Sequence, residues 1–126
     1  VIGASILAAN AFAMPHTYPE CPELSAVKSE GLSMAQKAMD SLYVALNISN
    51  YNSETMWVFL VGPFDADSED SALQSGNAVL AKMSGKGVHQ QEDGVEFCEY
   101  DSGSEGLFAI AATPEGAAKL QPKLAK

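Results

Sequence analysis

The segment Thr55-Met-Trp-Val-Phe-Leu-Val61 is apolar at almost every position and closes at Gly62-Pro63. A strand with one wet face alternates between apolar and polar residues. A continuous β-branched and aromatic run does not, so this segment has to be a central strand buried on both faces. The stretch before it, Ser41-Leu-Tyr-Val-Ala-Leu-Asn-Ile-Ser49, places Leu42, Val44, Leu46 and Ile48 on one face. Asn50-Tyr-Asn-Ser53 between the two is turn chemistry. Leu32–Met39 suits either period, and the meander that follows favours a strand there.

The strongest helix signal covers Asp67–Ser84. Asp67 or Ser68 can cap it, and Glu69 and Asp70 sit in the first turn, where the helix dipole favours anions. Ala72/Leu73, Gly76, Val79/Leu80 and Met83 recur at helical spacing, Lys82 lies in the last turn, and Gly85 supplies the stop. Pro22–Glu30 predicts one or two helical turns ended by Gly31. Gly85–Gly94 reads as a polar loop. Val95–Asp101 and Gly106–Thr113 read as a hairpin joined by Ser102-Gly-Ser-Glu105. Residues 114–126 are rich in Ala, Lys and Pro and are expected to form a flexible tail. The order β-β-β-α-β-β predicts an α+β, two-layer domain over residues 23–113. It has a mostly antiparallel sheet of about five strands and one main helix on one face. Leu42, Val44, Leu46, Val58, Leu60, Leu73, Leu80 and Met83 are the expected core between sheet and helix.

The first thirteen residues carry no charge and end in Ala11-Phe12-Ala13, an A-x-A pattern followed by Met14-Pro15. This is the apolar core and cleavage site of a secretory signal peptide, so residues 1–13 are read as its remnant and the working protein as exported, periplasmic or extracellular. The apolar run stops at Phe12, short of a membrane span. Residues 14–22 hold three prolines and read as an extended arm. Cys21 and Cys98 are the only cysteines, and an isolated pair in an oxidising compartment is expected to be a disulfide.

The formal charge is −9, with seven lysines and no arginine. Nucleic-acid binders need a basic footprint, and arginine is their main base-reading side chain, so this chain points away from nucleic acid. No Gly-x-Ser-x-Gly or His-Glu-x-x-His pattern occurs, and Gly85-Lys-Gly87 is too short for a phosphate loop. Asp65-Ala-Asp-Ser-Glu-Asp70 lacks the mid-loop glycine and closing glutamate of a calcium loop, and helix capping accounts for its acids. A non-enzymatic domain is therefore expected. His16, Tyr18 and His89 are the side chains able to hold a haem iron. If Met56, Val58 and Leu60 face the helix, then Tyr43, Trp57, Phe59 and Val61 lie on the opposite face. That face either packs under the arm or forms a ligand groove or dimer surface.

Three features in order give the chain a family likeness. They are Cys21-Pro22-Glu-Leu-Ser-Ala26 after a signal peptide, Met56-Trp57-Val58-Phe59 leading to a helix at Ser71-Ala72-Leu73, and Phe97-Cys98-Glu99-Tyr100. In these it resembles a small family of exported bacterial proteins of unknown function, some of which carry the name haemin-binding protein. The resemblance implies export and a link to haem uptake. The expected function is thus an exported binding domain for a small apolar ligand, with haemin the named candidate and haem the candidate cofactor. The alternative is a protein-interaction or inhibitor-like module using a sheet edge or the Trp57 face, which could also pair two copies as a homodimer.

Overall fold

The computed structural model describes residues 19–124. The expected signal-peptide remnant and most of the proline-rich arm, with His16 and Tyr18, lie outside the described residues. Helix α1 (Leu24–Glu30) leads into a meander of β1 (Met34–Met39), β2 (Leu42–Ser49) and β3 (Trp57–Asp65). Helix α2 (Glu69–Lys82) follows, then β4 (Val88–Glu92), β5 (Val95–Glu99), β6 (Phe108–Ala112) and helix α3 (Pro114–Leu124). The strands form one open sheet in the order β1-β2-β3-β6-β5-β4, with antiparallel pairing throughout. The α+β class and the antiparallel sheet are as expected, with six strands in place of about five.

Strand β3 is central, flanked by β2 and β6, and every residue from Trp57 to Gly62 is buried. It runs on to Asp65 and does not stop at Gly62-Pro63 as expected. Between Tyr43↔Phe64 and Ala45↔Val61 the register shifts by one residue, a bulge that brings Val61 and Phe64 to the same face. Pro63 fits here because β6 pairs with β3 only as far as Gly62, so no ladder bond to β6 is lost.

Helix α2 starts where capping predicts. Ser71 N donates to Ser68 Oγ at 3.1 Å, and Glu69 and Asp70 occupy the first turn. It packs on β1, β2 and β3 with its small residues Ala72 and Gly76 turned to the sheet. A Cβ on Gly76 would fall 2.5 Å from Ala45 Cβ and 3.0 Å from Leu32 Cδ1. That close approach leaves the large side chains on either side of it to fill the layer: Tyr43, Trp57, Phe59, Val61, Phe64, Leu80 and Met83.

The two faces of the strands are therefore exchanged relative to expectation. Val44, Leu46, Val58 and Leu60 do not meet α2; they form a second cluster with Ile110, Ala112, Ala117 and Leu120 under α3. Of the expected core residues, only Leu80, Met83 and the half-buried Leu73 lie on the α2 side. The reason is volume. A helix face of Ala and Gly sits low on the sheet and accepts bulky aromatic side chains beside it. The segment 114–126, expected to be a flexible tail, instead forms α3 over residues 114–124, which covers this second face.

Helix α1 buries Leu24 and Val27 in the α2-side cluster and ends at Gly31, whose φ of 77° suits glycine. Asn77 of α2 holds the turn that follows: Leu32 N donates to Asn77 Oδ1 at 2.8 Å, and Asn77 Nδ2 donates to Leu32 O at 3.1 Å. Among the described residues no helix is long and apolar enough to cross a membrane.

Substitutions at Gly76, Ala45 and Leu120 test the layer assignment by urea denaturation. Gly76→Ala should destabilise the domain by about 1 kcal/mol, because overpacking outweighs the gain in helix propensity. The double variant Gly76→Ala/Ala45→Gly should lose less than the two single losses added. Leu120→Ala should cost ~2–4 kcal/mol, and a cost below about half a kcal/mol would show that α3 is not part of the core.

Candidate binding edge and its clefts

Cys21 and Cys98 are disulfide-bonded, with Cα atoms 5.8 Å apart, as expected. The bond fastens the arm to β5. Two residues on, Tyr100 lies with Cys98 in the α2-side cluster, and its hydroxyl donates to Pro22 O at 2.6 Å. Its ring meets Phe59 with centroids 5.0 Å apart, and Gly87 runs so close that a Cβ there would be 2.6 Å from Tyr100 Cζ. Residues 20–24 are thus held by one covalent bond and one buried hydrogen bond, while Lys86-Gly87 crosses the same tyrosine. Burial, with Glu23 as a lesser cause, pushes the Tyr100 phenol well above its ordinary value.

On the far side of the arm, Asn47 Nδ2 donates to the buried Tyr51 hydroxyl at 3.1 Å and Ser33 Oγ donates to Asn47 Oδ1 at 2.7 Å. Ser49 Oγ donates to Glu30 Oε2 at 2.8 Å, which ties the end of α1 to β2. Burial pushes Tyr51 up to about 12; the Asn47 hydrogen bond acts against this and Glu30 adds to it.

The arm has an open cleft on each side. One of about 310 Å³ lies against Lys86, Gly87 and His89, and one of about 390 Å³ lies against Tyr51, Asn52 and Ser53. Both are rimmed by Glu20 and Glu23. A third cleft, of about 440 Å³, lies beside β4 and β5, with Val88, Leu107 and Phe108 as its apolar lining and Glu99 and Asp101 as its carboxylates. Lys86 also lines it.

Strand β4 is the main feature that the sequence reading missed. Expected as loop, Val88–Glu92 pairs with β5 in a continuous register from Val88↔Glu99 to Glu92↔Val95. Asp93 and Gly94, both at positive φ, form the two-residue turn. An Asp-Gly pair between extended runs is the sequence signal that could have revealed this hairpin. Glu92 and the glutamines mask it, because β4 has no buried face: all five residues are exposed. Beyond it the sheet has no further strand among the described residues. Strand β5 joins β6 through Cys98↔Ala111, Glu99↔Ile110 and the bond from Tyr100 N to Ala109 O at 2.8 Å, so the turn end of the β4–β5 hairpin lies beyond the ladder with β6 and rests through Val95 and Phe97 on the α3-side cluster. The opposite edge, β1, carries Lys37 and a register shift between Lys37 and Met39, features that blunt an edge. Strand β4 has a regular register and neither lysine nor proline.

Of the candidate residues, His89 sits on β4, half-exposed, with Nε2 2.9 Å from Glu96 Oε1, and it lines the cleft beside Cys21. Trp57 and Phe59 are fully buried and Tyr43 is 8% exposed, all in the α2-side cluster. Of the two readings of the Trp57 face, a packed face or a ligand groove or dimer surface, the structure shows a packed face, covered by α2. None of these three clefts brings His89 together with these aromatic residues.

Two measurements test this local structure. Replacing both Cys21 and Cys98 by Ser should lower stability by about 4 kcal/mol, because the bond closes a 78-residue loop (98 − 21 + 1) in the unfolded chain. The two buried phenols give a pH dependence of stated sign. Above a pH of about 10 the unfolded chain loses phenolic protons that the folded chain retains, so stability falls as pH rises towards about 12. Tyr51→Phe and Tyr100→Phe should each flatten that fall in denaturation series across the same range.

Comparison with known proteins adds a family and no ligand. No significant match exists among curated proteins or among solved structures. Residues 20–124, which span the sheet, the end of the arm and the three helices among the described residues, match the family described as Domain of unknown function (DUF4949), and the chain belongs to it.

Proposed function

We propose that the domain is an exported, non-enzymatic binding module that takes an extended protein segment at the β4 edge of its sheet. The observation that carries this reading is the exposure of all five β4 residues along an edge with neither lysine nor bulge. Backbone donors and acceptors on such an edge pair readily with an added strand, and the side chains on either face then set specificity. The disulfide fits a protein that works in an oxidising compartment. The buried hydroxyls of Tyr51 and Tyr100 are engaged in structural hydrogen bonds, which supports binding over catalysis.

Haemin is the small-ligand reading, and His89 is the residue that favours it among those described, because it lines a cleft with Leu24 and Cys21. Against it, His89 Nε2 faces Glu96, and Glu20 and Glu23 at the cleft rim repel propionates. The aromatic surface that would have received the macrocycle is buried under α2.

Panning an unbiased displayed-peptide library against the disulfide-bonded protein separates these readings once each selected peptide is located by amide chemical shifts. The expected result is perturbation of residues 88–92 with inter-strand contacts to the peptide. Peptides that map only to the arm clefts would overturn the edge reading. A saturating Soret shift with haemin that is lost in His89→Ala would establish the haem reading instead.

A further inference from the structure

The chemistry around β4 narrows what kind of strand it accepts. Between Lys86 and Asp101 the chain carries Glu92, Asp93, Glu96, Glu99 and Asp101 against the single lysine, so the hairpin and its flank form a region of negative potential. The carboxylates are not confined to one side. Val88 is paired with Glu99, and Gln90 with Phe97 of the α3-side cluster, so Glu99 lies on the α3-side face; Glu96 lies with His89 on the other. On the α3-side face, the cleft of about 440 Å³ opens beside Val88 and Gln90, with Glu99 and Asp101 as its carboxylates. Asp101 Oδ1 accepts from Gly103 N at 2.9 Å, which orients that carboxylate within its loop.

A segment paired to the outside of β4 would lie about 10 Å, two strand spacings, from β5. A long side chain on the α3-side face of that segment reaches across Val88 towards Glu99, with its methylenes on the apolar lining and its charged end among the carboxylates. Resting on the edge-binding reading above, we propose that the segment β4 accepts is basic, with lysine or arginine at alternate positions, and that Glu99 and Asp101 receive one of these cations in the cleft beside Val88. Lys86 at the cleft wall opposes this attraction, while Val88 and Leu107 favour a cation on a long apolar stem over a short polar side chain.

The test uses two labelled synthetic peptides of one length and composition apart from charge: Thr-Lys-Val-Lys-Val-Lys-Thr, and the same sequence with Glu in place of Lys. Binding to the disulfide-bonded domain is followed by anisotropy, and the site by amide shifts of residues 88–92. The lysine peptide should bind at β4 and the glutamate peptide should not. Glu99→Gln/Asp101→Asn, which keeps the Gly103 acceptor, should weaken the lysine peptide by roughly three- to tenfold, with a reduced salt dependence. If both peptides shift the β4 amides equally and the double variant changes nothing, the edge reading stands and the charge preference is overturned. If neither peptide perturbs residues 88–92, the edge reading falls with it.

Discussion

Strand β3 has no polar face. Trp57, Phe59 and Val61 press against the layer under α2, while Val58 and Leu60 press against the layer under α3. Removing either helix would expose a row of apolar side chains on the central strand, at roughly 25 cal/mol for each Å² uncovered. The rest of the architecture follows from that requirement. Helix α2 descends onto the sheet through Gly76 over Ala45, α3 returns across β6 and β5 to close the second side, and β2 and β6 shield the backbone of β3 from water.

The arm and the late strands depend on a separate fastening. Cys98 and Tyr100 lie in the same buried cluster, and they hold residues 20–24 by a disulfide and a hydrogen bond to Pro22 O. Gly87 passes over the Tyr100 ring and delivers the chain into β4. This fastening sets where β4 begins; the turn end of the hairpin runs beyond the ladder with β6, where β5 rests on the α3-side cluster and β4 has no buried face. A well-anchored root and an open outer strand are the arrangement that strand addition uses.

The elements with strong local signals were legible in the sequence. The capped helix after Ser68, the alternating β2, the apolar β3 and the cysteine pair all follow from residue patterns. The assignment of faces was not, because a strand that is apolar on both sides gives no periodic signal about which side meets which helix. Helix size decided it: Ala72 and Gly76 leave room for tryptophan and phenylalanine, a relation between distant segments that neither shows alone. The C-terminal helix was obscured by Gly116 and Pro122, residues that usually lower helix propensity. Strand β4 was obscured because a strand without a buried face loses the alternation by which strands are recognised. The candidate site fell on the segment with the weakest pattern, as functional surfaces do when packing places no demand on them.

The claim that β4 is an open edge in the free protein is tested most directly by native-state hydrogen exchange of the disulfide-bonded chain. Amides of residues 57–62 and 108–112 should exchange only through global unfolding, while within residues 88–92 the amides directed away from β5 should exchange far faster than those bonded to it. Uniform strong protection across residues 88–92 in the unliganded protein would contradict the account, because it would mean that the outer row of β4 is already paired.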